Sequence, residues 1–185
     1  KNNLDFFYRS YIKSKRNILP FVTCKLALSK DLFTINKNRK WITNEFSRGR
    51  VHLLRADHDC IITSSNTVIK DNPRLTCRID GLHEKTPTRI ILDKNLKTPL
   101  NSNLIKNSDS YKTIIFYNKY KQNKIKMLNG LKVNCFRVPL DQNKNINLKK
   151  ALILAKRLGF YRIFLETGLK LATVFLKADL VDDLK

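Results

Sequence analysis

The side chains best suited to chemistry are concentrated in one stretch, LLRADHDCIITSSNTVIKDNPRLTCR, which runs from Leu53 to Arg78. Hydroxyl groups, carboxylates and arginines surround a short apolar segment, CIITS, at residues 60–64. Guanidinium groups suit a phosphate because their N–H donors form a fork. The stretch is therefore either an ordinary polar loop or a binding site for a phosphorylated ligand.

A second polar group, Glu166-Thr167-Gly168, lies between an apolar run and a helical pattern. The start of a helix exposes backbone N–H groups, which together with the helix dipole favour a phosphate. The glycine lets a ligand approach the backbone closely. A single glycine is not a dinucleotide-binding fingerprint, so alone this pattern favours a strand-to-helix turn with Thr167 as the cap.

These polar groups lie at the ends of predicted strands. Apolar and β-branched runs predict six strands, and a helical period predicts three helices, the first capped by Thr43 and the second ended by Gly159. Residues 66–71 predict a turn or short helix, and the polar residues 30–40 and 94–111 predict loops. The strands are predicted at residues 20–29, 60–64, 88–93, 112–118, 132–138 and 161–166, and the helices at residues 44–56, 147–160 and 168–180.

The alternation of strands and helices predicts an α/β fold, a sheet covered by helices on its faces with crossovers that allow parallel neighbours. In open α/β sheets, ligands bind outside the carboxyl ends of the strands. Three predicted strand ends carry polar side chains, within residues 25–31, 63–78 and 166–168. The sequence therefore predicts that a ligand binds at these strand ends.

The formal net charge of +22 over 185 residues is compatible with a nucleic-acid-binding protein. The lysines are spread along the whole chain, however, and only residues 13–16 and 119–126 are locally dense. This distribution favours a lysine- and asparagine-rich surface over a dedicated nucleic-acid interface. Because no apolar run approaches the ~18 residues of a membrane helix, and the basic start lacks the apolar centre of a secretory signal, we expect a soluble, cytoplasmic protein without a membrane partner.

The cysteines and histidines indicate neither a disulfide framework nor a metal site. No C-x-x-C, H-x-x-x-H or H-E-x-x-H spacing occurs, so we expect buried thiols and no metal. The residues concerned are Cys24, Cys60, Cys77, Cys135, His52, His58 and His83.

Five segments occur in a fixed order along the chain: FVTCKLALSKD (21–31), WIT (41–43), RVHLLRA (50–56), T-x-x-x-D-N-P-x-L-T-x-R (67–78) and LETG followed by LVDDL (165–184). Together they resemble one family, the reductase domain of riboflavin biosynthesis, 5-amino-6-(5-phosphoribosylamino)uracil reductase. The resemblance implies a dihydrofolate-reductase-like α/β fold, a mixed, mostly parallel sheet flanked by helices, with the reductase domain at residues 20–185 and a connector-like segment at residues 1–19.

The resemblance implies NADPH-dependent reduction of the ribosyl group of a phosphorylated aminopyrimidine to a ribityl group, with the hydride going to the sugar C1′. Lys25 is implied to polarise or protonate the sugar oxygen, and Glu166 to act with it as a substrate-contacting acid. Ala27 leaves room for a flat ring, and Trp41 offers an apolar face. Substrate binding is implied for Arg39, Arg55, Leu75, Arg78 and Glu166, and cofactor binding for Ala27, Trp41, Thr67, Asp71, Lys94, Gly168, Leu169, Lys170, Leu171, Ala172, Thr173 and Val174.

Departures from the family pattern keep alternatives open. The usual S-L-D-G is Ser29-Lys30-Asp31-Leu32, Arg39 replaces a serine, and Asn72 replaces an aspartate. Arg55 could instead be a solvated cation at a helix end, Asp71 a turn residue and Trp41 a core aromatic. The alternatives to an active reductase are a degenerate, non-catalytic relative and a basic nucleic-acid-binding protein that keeps the fold.

Bifunctional relatives carry a zinc deaminase domain with H-A-E and P-C-x-x-C motifs, and neither motif occurs here. The resemblance implies either a reductase-only protein, with a separate deaminase acting upstream, or the reductase half of a longer protein, and it implies that the chain works as a homodimer. The family continues past L-V-D-D-L with further strands, whereas this sequence stops at Lys185. We expect a sheet that is cut short at this end.

Overall fold

One parallel sheet of seven strands organises the computed structural model, which describes residues 2–26 and 45–185. Its strand order is β5-β4-β3-β2-β6-β1-β7, and every strand pair is parallel. The strands are β1 (Phe21–Lys25), β2 (Cys60–Ser64), β3 (Thr88–Leu92), β4 (Thr113–Tyr117), β5 (Asn134–Arg137), β6 (Arg162–Glu166) and β7 (Asp183–Leu184). The helices are α1 (Asn2–Arg16), α2 (Glu45–Ala56), α3 (Ser65–Asp71), α4 (Asn103–Lys106), α5 (Gln122–Gly130), α6 (Leu148–Arg157) and α7 (Leu169–Lys177), with a 3₁₀ turn at His83–Lys85.

Both faces of the sheet are buried, which explains why its central strands are almost wholly apolar. Successive side chains of a strand point to opposite faces. Ile61 and Phe164 therefore belong to the core under α2, α3, α4 and α5, whereas Ile62 and Leu165 belong to the core under α6 and α7. Each such fully buried side chain stabilises the fold by about 1.5–3 kcal/mol. These two cores hold the strand ends at fixed positions.

The predicted α/β fold is confirmed, and all six predicted strands occur. Gly159 ends α6 with a φ of +95°, which a residue with a side chain rarely adopts. The prediction that residues 94–111 form only a loop is wrong, since burial of Leu104 and Ile105 supports the short helix α4. The strand predicted at residues 20–29 ends at Lys25 in the structure.

Some elements were not predicted, and some predictions lie outside the described residues. Besides α4, the elements that were missed are helices α1 and α5, the 3₁₀ turn at His83–Lys85 and the edge strand β7. The predicted cap Thr43 and the predicted loop at residues 30–40 fall in the part of the chain that is not described, as do residues 27–29 of the first predicted strand.

The cysteines are unpaired thiols, as predicted, and three of the four are buried. Burial raises the pKa of Cys24 to about 11, whereas Cys135 is only half-buried. Within residues 2–26 and 45–185, no group of three or more His, Cys, Asp or Glu side chains could hold a metal ion. No helix in the same residues is long and apolar enough to cross a membrane.

Helix α1, which lies in the segment predicted to be a connector, is bound to the last part of the chain. The ammonium of Lys13 donates to both carboxylate oxygens of Asp182, at 2.7 and 2.6 Å. The same carboxylate accepts the backbone N–H of Val22 at 2.8 Å. Asp182 thus fastens α1 beside the start of β1.

Candidate active site

The three polar strand ends that the sequence predicted as a ligand site are neighbours in the structure. Strands β2, β6 and β1 are adjacent in the sheet, and all three point the same way. Lys25 on β1 is the register partner of Glu166 on β6, and Ile62 on β2 is the partner of Leu165. The carboxyl ends of these strands therefore form one continuous edge.

The Arg55–Glu166 ion pair is the centre of this edge. Nε of Arg55 donates to Oε2 of Glu166 at 2.9 Å, and Nη2 donates to Oε1 at 2.7 Å. This two-point contact fixes both side chains, which are 11% and 18% exposed. Nη1 of Arg55 also donates to the carbonyl of Thr76 at 2.8 Å. Helix α2, strand β6 and the segment after α3 are thereby joined through one guanidinium.

His52 is a site residue that sequence reasoning missed. It lies one helical turn before Arg55, and its ring contacts the carbonyl of Thr76 and both the backbone and the guanidinium of Arg78. Burial, followed by the charges of Arg55 and Arg78, lowers the pKa of His52. The sequence contained one signal for His52, its spacing from Arg55. Residues three apart on a helix lie on the same face, so a histidine at this spacing lies beside the arginine.

The starts of α3 and α7 meet beside the ion pair. The Ser64 hydroxyl caps α3 by accepting the N–H of Thr67 at 3.1 Å. The hydroxyls of Thr67 and Thr167 are 3.4 Å apart. Gly168, not Thr167, is the N-cap of α7, and no side chain caps that helix. The alternative of a turn capped by Thr167 is therefore wrong.

Gly168 leaves open space above this turn. A Cβ built on the glycine would meet no other atom within 4 Å. The first backbone N–H groups of α7 have no intrahelical acceptors, as in any helix. The turn thus combines backbone donors, free space and the exposed side chain of Lys170, an arrangement that can accept a phosphate group.

The remaining predicted site residues have more varied surroundings. Leu75 has a φ of +52°, and its side chain is 4% exposed within the core under α2 and α3. Asp71 is exposed at the end of α3. The ammonium of Lys94, just after β3, donates to the carbonyl of Lys144 at 2.8 Å.

Helix α7 presents its predicted cofactor-binding residues on more than one face. Ala172 is fully buried against the sheet, so its side chain faces the core. Leu169, Lys170 and Val174 are exposed, and Leu171 and Thr173 are half-buried. Three further predicted residues, Ala27, Arg39 and Trp41, lie outside the described residues.

Comparison with known proteins identifies the family. The family model described as RibD C-terminal domain matches residues 20–185. The chain belongs to this family. It is 36% identical over 183 residues to riboflavin biosynthesis protein RibD of Aquifex aeolicus, an alignment that covers 97% of this chain and 48% of that protein. It is 29% identical over 160 residues to the 5-amino-6-(5-phosphoribosylamino)uracil reductase of Buchnera aphidicola, covering 80% of this chain and 74% of that protein.

The fold is likewise similar to a solved structure. Acinetobacter baumannii RibD superimposes with a TM-score of 0.79 at 26% identity, covering 97% of this chain and 49% of that chain. The chain therefore spans about half the length of the RibD relatives that it matches. These matches confirm the predicted family and its fold.

Proposed function

We propose that this chain reduces the ribosyl group of 5-amino-6-(5-phosphoribosylamino)uracil to the ribityl form in riboflavin biosynthesis, with NADPH as the hydride donor. Family membership and the Buchnera relative that bears this enzyme name support the proposal. The observation that carries it is the Arg55–Glu166 ion pair, located at the carboxyl edge of the sheet beside Lys25. We take residues 20–185 as the reductase domain and residues 1–19 as the connector.

Arg78 is the cation that we assign to the substrate phosphate. Its side chain is exposed, and within the described residues no carboxylate pairs with it. Arg55 differs, because its donors are already directed at Glu166 and Thr76. We therefore assign Arg55 to holding Glu166, whose oxygens retain further lone pairs for hydroxyl or amine donors of the substrate.

Lys25 is the proton donor in this proposal. It is half-buried, and its ammonium has no hydrogen bond or ion pair in the part of the chain that the structure describes. When the sugar ring opens, the bond between C1′ and the ring oxygen would break and that oxygen would take a proton from the Lys25 ammonium, after which C1′ would accept the hydride. Lys25 then regains a proton from water. The substrate gains one hydride and one proton, so the reduction balances.

The residues at the carboxyl edge fit a dinucleotide cofactor. When bound, NADPH supplies the hydride, and the protein supplies position and charge. The open turn at Gly168, the ammonium of Lys170 and the hydroxyl of Thr67 are the groups that would hold it. A homodimer and a separate deaminase that provides the substrate remain predictions from the family resemblance.

The test is NADPH consumption by the purified chain given the deaminated ribosylaminopyrimidine phosphate. We expect turnover in the wild type and a loss of about 100-fold in kcat/KM for both Arg55→Ala and Glu166→Ala, because each variant leaves the partner charge unpaired. Asp57→Ala is the matched control, since it breaks a more exposed Arg–carboxylate pair, with Arg162, at the other end of the sheet.

Three results would contradict the proposal. Equal activity in the Arg55→Ala variant and the control would show that the Arg55–Glu166 ion pair is not part of the active site. NADPH binding by a folded protein without turnover would favour a degenerate relative. Steeply salt-dependent RNA binding in the absence of NADPH binding would favour a nucleic-acid-binding protein.

A further inference from the structure

His52 stands between the two arginines of the candidate site. Its Nδ1 lies 3.1 Å from the carbonyl oxygen of Thr76 and 3.1 Å from the backbone nitrogen of Arg78. Its Nε2 lies 3.3 Å from Nη2 of Arg78, and its Nδ1 lies 3.5 Å from Nη1 of Arg55. The imidazole ring therefore contacts Arg78 through both of its nitrogen atoms.

These contacts cannot all be hydrogen bonds at once. A neutral imidazole has one N–H donor and one acceptor nitrogen. With the proton on Nδ1, the ring donates to Thr76 and accepts from the Arg78 guanidinium at Nε2. With the proton on Nε2, the ring accepts the Arg78 backbone N–H, but its own N–H then faces a guanidinium that only donates. The first tautomer is the one that satisfies the Arg78 side chain.

The Arg78 guanidinium depends on this ring for its position. Within the described residues, His52 is the only side chain with which it forms a hydrogen bond. A long, exposed arginine samples many rotamers, and it loses that freedom when it binds a ligand. A neighbour that restrains the guanidinium beforehand reduces this loss.

We propose that His52 is a positioning residue, which holds the Arg78 guanidinium where the substrate phosphate binds, an inference that rests on the proposed function. The ring accepts a hydrogen bond at Nε2 and anchors itself to the Thr76 carbonyl through Nδ1. It does not contact the reacting carbon. Its loss therefore weakens phosphate binding and leaves the chemical step intact.

Three substitutions of His52 distinguish the roles of its two ring nitrogen atoms. In His52→Gln the amide reaches the place of Nε2 and keeps an acceptor for Arg78. In His52→Asn the shorter amide occupies the place of Nδ1 and keeps only the Thr76 anchor. His52→Ala loses both contacts, and thermal melting of all three variants checks that each is folded.

Titration with ribose 5-phosphate followed by calorimetry measures the effect. We expect binding by the wild type and His52→Gln to agree within about 2-fold, and binding by His52→Asn and His52→Ala to be weaker by about 10-fold. In turnover assays, we expect His52→Asn and His52→Ala to raise KM by a similar factor and to leave kcat unchanged. In an Arg78→Ala background, His52→Ala causes no further loss, because the group that it positions is gone.

The inference is overturned if His52→Asn binds as well as His52→Gln. It is also overturned if His52→Ala weakens binding equally with and without Arg78, or if the wild type does not bind ribose 5-phosphate. Failure of the reductase proposal gives a different result, namely no NADPH consumption by the wild type while the difference between the Gln and Asn variants in ribose 5-phosphate binding persists.

Discussion

Cationic side chains at the two ends of the parallel sheet have different surroundings. At the amino end, Arg89 at the start of β3 is fully buried, and its guanidinium donates to the carbonyls of Arg74, Leu104 and Asn107 and to the Thr113 hydroxyl. At the carboxyl end, the cationic groups of Lys25 and Arg78 have no carboxylate partner among the described residues.

Backbone groups at the amino end are satisfied in the same way. One carboxylate oxygen of Asp59 accepts the N–H groups of Tyr161 and Arg162 at 2.7 and 2.8 Å, and the Asp59 N–H donates to the carbonyl of Arg162 at 2.9 Å. Polar groups that are hydrogen-bonded within the protein have little capacity left for a ligand, and of the buried Arg89 guanidinium only Nε lacks a partner among the described residues. The comparison therefore separates groups that maintain the fold, such as Arg89 and Asp59, from cations that are available for binding, such as Lys25 and Arg78.

The largest expected effect is on stability, at the amino end. Arg89→Ala leaves several buried oxygen atoms without their donor, so we expect it to lower the free energy of unfolding by about 3–5 kcal/mol. Urea denaturation measures this change. Arg157→Ala is the control: Arg157 is exposed at the end of α6, and its loss should change stability by less than about 0.5 kcal/mol. Equal losses in both variants would contradict the comparison.

The next effect is on catalysis, at the carboxyl end. Lys25→Met removes the proposed proton donor and keeps the length of the side chain, so we expect kcat to fall about 100-fold. The free energy of unfolding should change by less than about 1 kcal/mol, since no bond of the ammonium is lost within the described residues. Steady-state turnover and urea denaturation test the two statements. An active Lys25→Met enzyme would show that the proton comes from elsewhere.

A smaller effect concerns acid stability, through buried His58. Its Nδ1 contacts the carbonyl of Leu54 at 2.6 Å, and its Nε2 contacts the Thr23 hydroxyl at 2.9 Å. Burial lowers the pKa of His58, so its unfolded form takes up a proton at a higher pH than its folded form. The stability that neutral His58 contributes is therefore fully present above about pH 6.5, the pKa of an unperturbed histidine. This contribution decreases as the pH falls toward the pKa of His58 in the folded protein.

Denaturation at a series of pH values tests this prediction. His58→Asn should be less stable at neutral pH and should lose less stability on acidification. The pKa of His52 is also lowered, so His52 also reduces the stability of the fold on acidification. The variant His52→Asn therefore measures the part of the acid dependence that belongs to His52. An identical acid dependence in the wild type and His58→Asn would contradict the assignment.

Much of the carboxyl edge could be predicted from the sequence. The alternation of strands and helices predicted parallel neighbours, and the family resemblance indicated Lys25, Arg55 and Glu166, which the structure brings together. The sequence was insufficient for His52, because its role depends on the position of Arg78 far along the chain. Arg89 was missed for the same reason: its acceptors lie between Arg74 and Thr113, and nothing within TRIILD indicates that the arginine is buried.

The elements that were missed have weak local signals. Helix α5, QNKIKMLNG, buries only Leu128 fully; Ile125 is half-buried, and the other residues are polar or exposed. Helix α4 has four residues, too few for a helical period to be recognised. Tertiary burial determines both helices.

The proposed reduction places a hydride from NADPH on the sugar C1′. Its most direct test is one turnover with NADPH deuterated at the transferable position of the nicotinamide, followed by NMR of the product. We expect a ribityl product with deuterium at C1′ alone. Deuterium at another carbon, or its absence from a reduced product, would contradict it.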